Sequence, residues 1–148
     1  MSTRDVIRTF LDAVESRDAD AAAACFAEGA PYQNMPHPPQ FGPSGVRAML
    51  TNILAASTEV RWDVINEAYA DSRGHLERID RFVIDDVEYA VQCHAVVEVD
   101  VAAGLITAFR DYVDLAPWRA ELAPALEHWL ARQAEGNIAH DSGSNTIG

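Results

Sequence analysis

The chain has 148 residues, one domain's worth, with 23 acidic and 11 basic residues for a formal net charge of -12. Every basic residue is Arg and none is Lys, which excludes a Schiff-base lysine and a phosphate-loop lysine. The acidic balance, with no basic run, argues against nucleic acid or an anionic membrane surface as partner, and 49% hydrophobic content argues for a packed core.

Ser2 or Thr3 is placed to cap a first helix, in which Val6, Ile7, Phe10, Leu11 and Val14 recur at helical spacing. Asp18 caps a short second helix, Ala19 to Phe26, ended by Gly29. The stretch Pro31 to Phe41 carries four prolines and is expected to be neither a helix interior nor a central strand. A third helix is predicted from Pro43 to Ala56, with Val46, Met49, Leu50, Ile53 and Leu54 as its apolar stripe.

After Ser57 the pattern becomes strands: Glu59 to Ala70, Gly74 to Ile84, Glu88 to Val99 and Leu105 to Leu115. The turns at Asp71-Ser72-Arg73-Gly74, Asp85-Asp86 and Ala102-Ala103-Gly104 predict consecutive antiparallel hairpins. A last helix is expected from Pro117 to about Gln133, and the polar tail from Gly136 is expected to be disordered. The domain is therefore placed at residues 1–135 and the tail at 136–148. Helices followed by a strand meander indicate an α+β fold. A strongly curved, mainly antiparallel sheet with the N-terminal helices on its concave face would form a cone with an apolar pocket.

No pair of cysteines or cysteine–histidine cluster has zinc spacing, and Cys25 and Cys93 read as buried small hydrophobes. No apolar run reaches the roughly 20 residues of a membrane span. The N-terminus, interrupted by Arg4, Asp5 and Arg8, does not read as a signal peptide, so the expected location is the cytoplasm.

Strand parity locates the chemistry. Along one strand Leu76, Arg78, Asp80 and Phe82 share a face. Along the last strand Phe109, Asp111 and Val113 share a face, opposite Arg110, Tyr112 and Asp114. An ordinary solvent-side ion-pair ladder would give the same spacing, but the flanking Leu76, Phe82, Phe109 and Val113 favour an inward face. Tyr32 and Asn34, two apart, point the same way if their segment is extended. Two buried carboxyls sharing one arginine favour a state with a single proton between them. One is then a general base and the other a general acid, with no metal, cofactor or covalent intermediate required.

At these residues the sequence resembles the limonene-1,2-epoxide hydrolase family. The resemblance rests on Tyr32-Gln33-Asn34-Met35-Pro36 followed by Pro38-Pro39, on Arg78-x-Asp80, and on Arg110-Asp111-Tyr112-Val113-Asp114-Leu115, and covers about residues 4 to 118. It implies the curved-sheet cone of the nuclear-transport-factor and SnoaL-like type, usually a homodimer. It also implies that Asp111 activates a water held by Tyr32 and Asn34, that Asp80 protonates the epoxide oxygen, and that Arg78 bridges the two aspartates. The product would be a vicinal diol, formed in one step from a small apolar epoxide and water.

Three departures bear on the substrate. Phe109 stands where the family often has Trp, His37 replaces an apolar residue between the prolines, and the C-terminal helix is longer than in the shortest members. Phe82, Val113, Cys93, Ile53 and Trp118 are the expected pocket lining, sized for a terpene-like or cycloalkene oxide. The alternatives are a polyketide cyclase or ketosteroid isomerase on a related cone fold, and a non-catalytic small-molecule-binding or dimerisation module. Convergence of Arg78, Asp80 and Asp111 in a buried site separates the first reading from the last.

Overall fold

A computed structural model describes the backbone of residues 1–143 and the side chains of residues 1–138. In chain order the elements are α1 (Thr3–Glu15), α2 (Ala19–Ala24), β1 (Pro31–Met35), β2 (Gln40–Phe41), α3 (Gly42–Ala56), β3 (Glu59–Ala70), β4 (Arg73–Ile84), β5 (Val87–Asp100) and β6 (Leu105–Val113). A continuous helical run closes the chain: α4 (Leu115–Pro117), a π-helical turn (Trp118–Leu122) and α5 (Ala123–Gly143).

Each start and stop has a local cause. Ser2 caps α1 through a reciprocal box with Asp5, and Asp18 caps α2 by accepting from the Ala21 amide. Pro43 sits in the first turn of α3, where its missing N–H has no intrahelical partner to lose. Asp85 and Asp86, both with positive φ, make the two-residue turn between β4 and β5. Asp114 accepts from the Ala116 amide and converts the end of β6 into the start of α4.

The strands form one curved, unclosed sheet in the order β2-β1-β6-β5-β4-β3. All neighbours are antiparallel except β1 and β6, which run parallel. Helix α1 lies over β3 to β6, and its buried stripe of Val6, Ile7, Phe10, Leu11 and Val14 fills the concave side. Phe10 is the hub: its ring meets Phe26 at 5.3 Å, Phe109 at 5.3 Å, Tyr32 at 6.1 Å and Trp62 at 6.1 Å, all edge-on. Such contacts contribute about 0.5–1.5 kcal/mol each beyond area burial, and here they tie three strands, β1, β3 and β6, and the segment after α2 to α1.

Three details differ from the sequence expectation. Pro31–Met35 is an internal strand, paired with β2 on one side and β6 on the other. Pro31 opens the strand and the remaining prolines fall in the connection to β2, so no ladder bond is lost to them. Helix α2 ends at Ala24 because Phe26 bridges Ile106, with the Cys25 carbonyl and Ala27 amide bonded to the Ile106 backbone. The last helix continues beyond Gln133, so the segment expected as tail is helical from Gly136 through Gly143; residues 144–148 lie outside the described residues.

Candidate active site

The alternation read from the sequence holds. In β4, Leu76, Arg78, Asp80 and Phe82 are all buried on the concave side, and in β6 Phe109 and Asp111 are buried there too. Arg78 is 0% exposed, Asp111 3% and Asp80 8%.

Arg78 and Asp111 lie two strands apart, on either side of β5. A span of two inter-strand spacings is about 10 Å, within reach of an arginine only if nothing bulky stands between. The β5 residues paired with Arg78 and Asp111 are Cys93 and Ala95, both small and inward. Over this low ground the guanidinium reaches both acids. Arg78 Nε donates to Asp80 Oδ1 at 3.0 Å, and Nη2 donates to Asp80 Oδ2 at 2.9 Å and to Asp111 Oδ2 at 2.8 Å. One nitrogen thus serves both carboxyls. The Trp62 ring lies 4.6 Å below the guanidinium carbon and the Phe109 ring 5.7 Å from it, so the cation also rests on π-faces.

Burial pushes the Asp80 carboxyl above its ordinary value; Arg78 and the Cys93 thiol oppose this, while the Asp111 charge adds to it. For Arg78, burial acts downward, but Asp111 and Asp80 more than offset it and the net shift is upward. Cys93 Sγ donates to Asp80 Oδ2 at 3.3 Å. Burial raises that thiol strongly, so beside an electrophile it stays S–H and is a poor nucleophile. Asp80 Oδ2 therefore accepts two hydrogen bonds, whereas Oδ1 accepts one.

Strand β1 brings the third component. Its parallel register sets Asn34 beside Asp111 and Tyr32 beside Phe109. Tyr32 is buried against the Phe10, Phe26 and Phe109 rings. Burial lifts its phenol well above the ordinary value, with the Asp111 charge adding to the effect, so it keeps its proton. Among the described residues, neither the Tyr32 hydroxyl nor the Asn34 side-chain amide has a protein hydrogen-bond partner, and Asp111 Oδ1 accepts none either.

A cavity of about 60 Å³ is lined by Tyr32, Asn34, Asp80 and Asp111 together with apolar residues. Of the expected lining, Phe82, Val113, Ile53 and Trp118 are present. Cys93 is not on this wall; it supports Asp80 from β5 and borders a groove on the other side of the sheet. Trp62, Met49, Leu50 and Val91 complete the wall and were not singled out from sequence as site residues. Asp80, Cys93 and Asp111 place ligand-type atoms within 4.8 Å of one another, but the cation held among them is the Arg78 guanidinium.

The arrangement can therefore offer a base and an acid to one small molecule, with neutral polar groups to hold a water between them. A family model, the limonene-1,2-epoxide hydrolase catalytic domain, matches residues 1–120. Among solved structures, an LEH-like epoxide hydrolase of M. tuberculosis is 20% identical, covering 90% of this chain and 96% of its own, with a TM-score of 0.67. A candidate SnoaL-like polyketide cyclase from Shewanella putrefaciens CN-32 is 12% identical over 82% of this chain and 96% of its own, with a TM-score of 0.72. A protein with a ketosteroid isomerase-like fold from Catenulispora acidiphila DSM 44928 is 16% identical over 76% of this chain and 88% of its own, at 0.67. These likenesses place the fold among the NTF2- and SnoaL-like cones. With the family model covering its first 120 residues, the chain belongs to the limonene-1,2-epoxide hydrolase catalytic-domain family.

Proposed function

We propose that the protein is an epoxide hydrolase that adds water to a small apolar epoxide in one acid/base step and releases a vicinal diol. The observation that carries this reading is the single Arg78 nitrogen shared by two buried carboxyls, Asp80 and Asp111, on the wall of a cavity that also holds Tyr32 and Asn34.

Asp111 is the base. Its Oδ2 is tied to Arg78, which leaves Oδ1 to take a proton from water. Tyr32 and Asn34 hold that water, since among the described residues neither the Tyr32 hydroxyl nor the Asn34 side-chain amide has another hydrogen-bond partner. Asp80, whose proton is favoured by burial, is the acid. As the water oxygen bonds to an epoxide carbon, the ring C–O bond breaks and the Asp80 proton passes to the departing oxygen. A proton abstraction of the isomerase or cyclase kind has no need of a water held beside its base; the Tyr32 and Asn34 side chains on the cavity wall next to Asp111 suit addition of water better. The enzyme is proposed to act in the cytoplasm as a homodimer, an assembly favoured by the exposed Ile65 and Tyr112 on the outer sheet face.

Asp111→Asn and Asp80→Asn are each expected to abolish diol formation while far-UV circular dichroism stays that of the unaltered protein. Substantial activity in either variant would overturn the assigned roles. In a single turnover in oxygen-18 water, one labelled oxygen is expected in the diol. Unlabelled diol in that first turnover would point to a covalent aspartyl ester.

A further inference from the structure

The cavity at the carboxyls is narrow for the substrates that the sequence suggested. The inner cavity measures about 60 Å³, whereas pockets that enclose whole drug-sized ligands run to roughly 300–1,000 Å³. Its inner end is stiff: Trp62 and Phe82 are each 4% exposed, with their rings edge-to-face at 6.4 Å. Trp62 is further fixed beneath the Arg78 guanidinium. Making room there means disturbing the pair of aromatic rings and the cation together.

In the other direction the cavity opens. Asn34, Met49, Val113 and Trp118 line both it and a second chamber of about 310 Å³, which His37 and Leu115 help to enclose. These four shared residues, here termed the collar, stand where the small reactive chamber adjoins the larger outer one. Trp118 is held in the collar by the π-helical turn, whose Leu122 is fully buried. Met49 is contributed by α3.

The two chambers impose a shape. An epoxide fused to a cycloalkane or monoterpene ring carries its bulk on the reacting carbons themselves, so that bulk must enter with them. An epoxide at the end of a chain brings only its three-membered ring and the adjoining carbon past the collar. Resting on the hydrolase reading above, we propose that the substrate class is slender: epoxides at the end of elongated, mainly apolar molecules. The reactive end occupies the inner chamber and the body lies in the outer one.

The test is diol formation from terminal epoxyalkanes of increasing chain length, beside cyclohexene oxide and limonene oxide. The expected result is a kcat/KM that rises with chain length and exceeds that of the cyclic epoxides by about tenfold or more, the scale of poor steric fit in a pocket. Met49→Ala and Trp118→Ala each widen the collar and are expected to shrink that gap by raising turnover of the cyclic epoxides. Met49→Ala alters α3 alone, so it carries the test should Trp118→Ala disturb the helical run. Cyclic epoxides turned over as fast as the linear series, or a gap unchanged in a folded Met49→Ala protein, would overturn this proposal and leave the hydrolase reading standing. No diol from any epoxide would remove both.

Discussion

Arg78 Nη2 donates at 2.9 Å to one carboxyl and at 2.8 Å to the other, and the guanidinium is wholly buried. A buried cation needs at least one counter-charge close by. With one proton between the carboxyls, as the proposed mechanism requires, it has one. Asp80→Asn leaves Asp111 to supply it. Asp111→Asn removes the negative charge that helps hold the proton on Asp80, so Asp80 is freer to ionise and takes over. The double variant strands the guanidinium with no counter-charge, a loss on the order of 3–5 kcal/mol. Thermal unfolding is therefore expected to show small losses for each single variant and a much larger loss for the pair. Additive losses would mean that both carboxyls are ionised in the resting protein.

At the scale of the elements, strand parity was enough to find Arg78, Asp80 and Asp111, because burial of one sheet face allows only one phase of alternation. The two-residue spacing of Tyr32 and Asn34 says only that they share a face if extended; their place beside Asp111 is implied by the family resemblance, and the strand that carries them was not expected inside the sheet. A proline count says where ladder bonds are missing, not where the neighbours are. Trp62 was out of reach for a different reason. Near the turn, Ala70 pairs with Arg73 and Asn66 with Glu77, but a bulge at Ile65 shifts the register, so that Val64 pairs with Arg78 and Trp62 with Asp80. Nothing in the apolar pattern announces that single extra residue. Without it Trp62 would stand beside Arg81, away from the acid. The collar depends on another close approach. A Cβ on Gly45 of α3 would come within 2.8 Å of the Gln40 backbone carbon in β2. Gly45→Ala is thus expected to push α3 from β2 and destabilise the fold by about 1–3 kcal/mol. A melting temperature equal to that of the unaltered protein would show that the contact is soft.

The whole molecule presents an acidic surface laced with arginine pairs, such as Arg47 with Asp20 and Arg132 with Asp85, each contributing little singly. On the outer sheet face Ile65 and Tyr112 are about half exposed beside a groove of about 570 Å³. Light scattering is expected to give twice the chain mass, and Tyr112→Arg to shift it toward one; a monomer in the unaltered protein would refute the dimer. The chain carries a formal charge of -12, yet Arg78 with one ionised and one protonated carboxyl sums to zero. Water, epoxide and diol are neutral as well. In the proposed reaction, turnover moves one proton from Asp80 to product and one from water to Asp111, and the sum does not change. Passing that proton from Asp111 back to Asp80 resets the site. The cycle then closes inside the protein without borrowing an ion from solvent, and the electric field of the acidic surface does no net work on it.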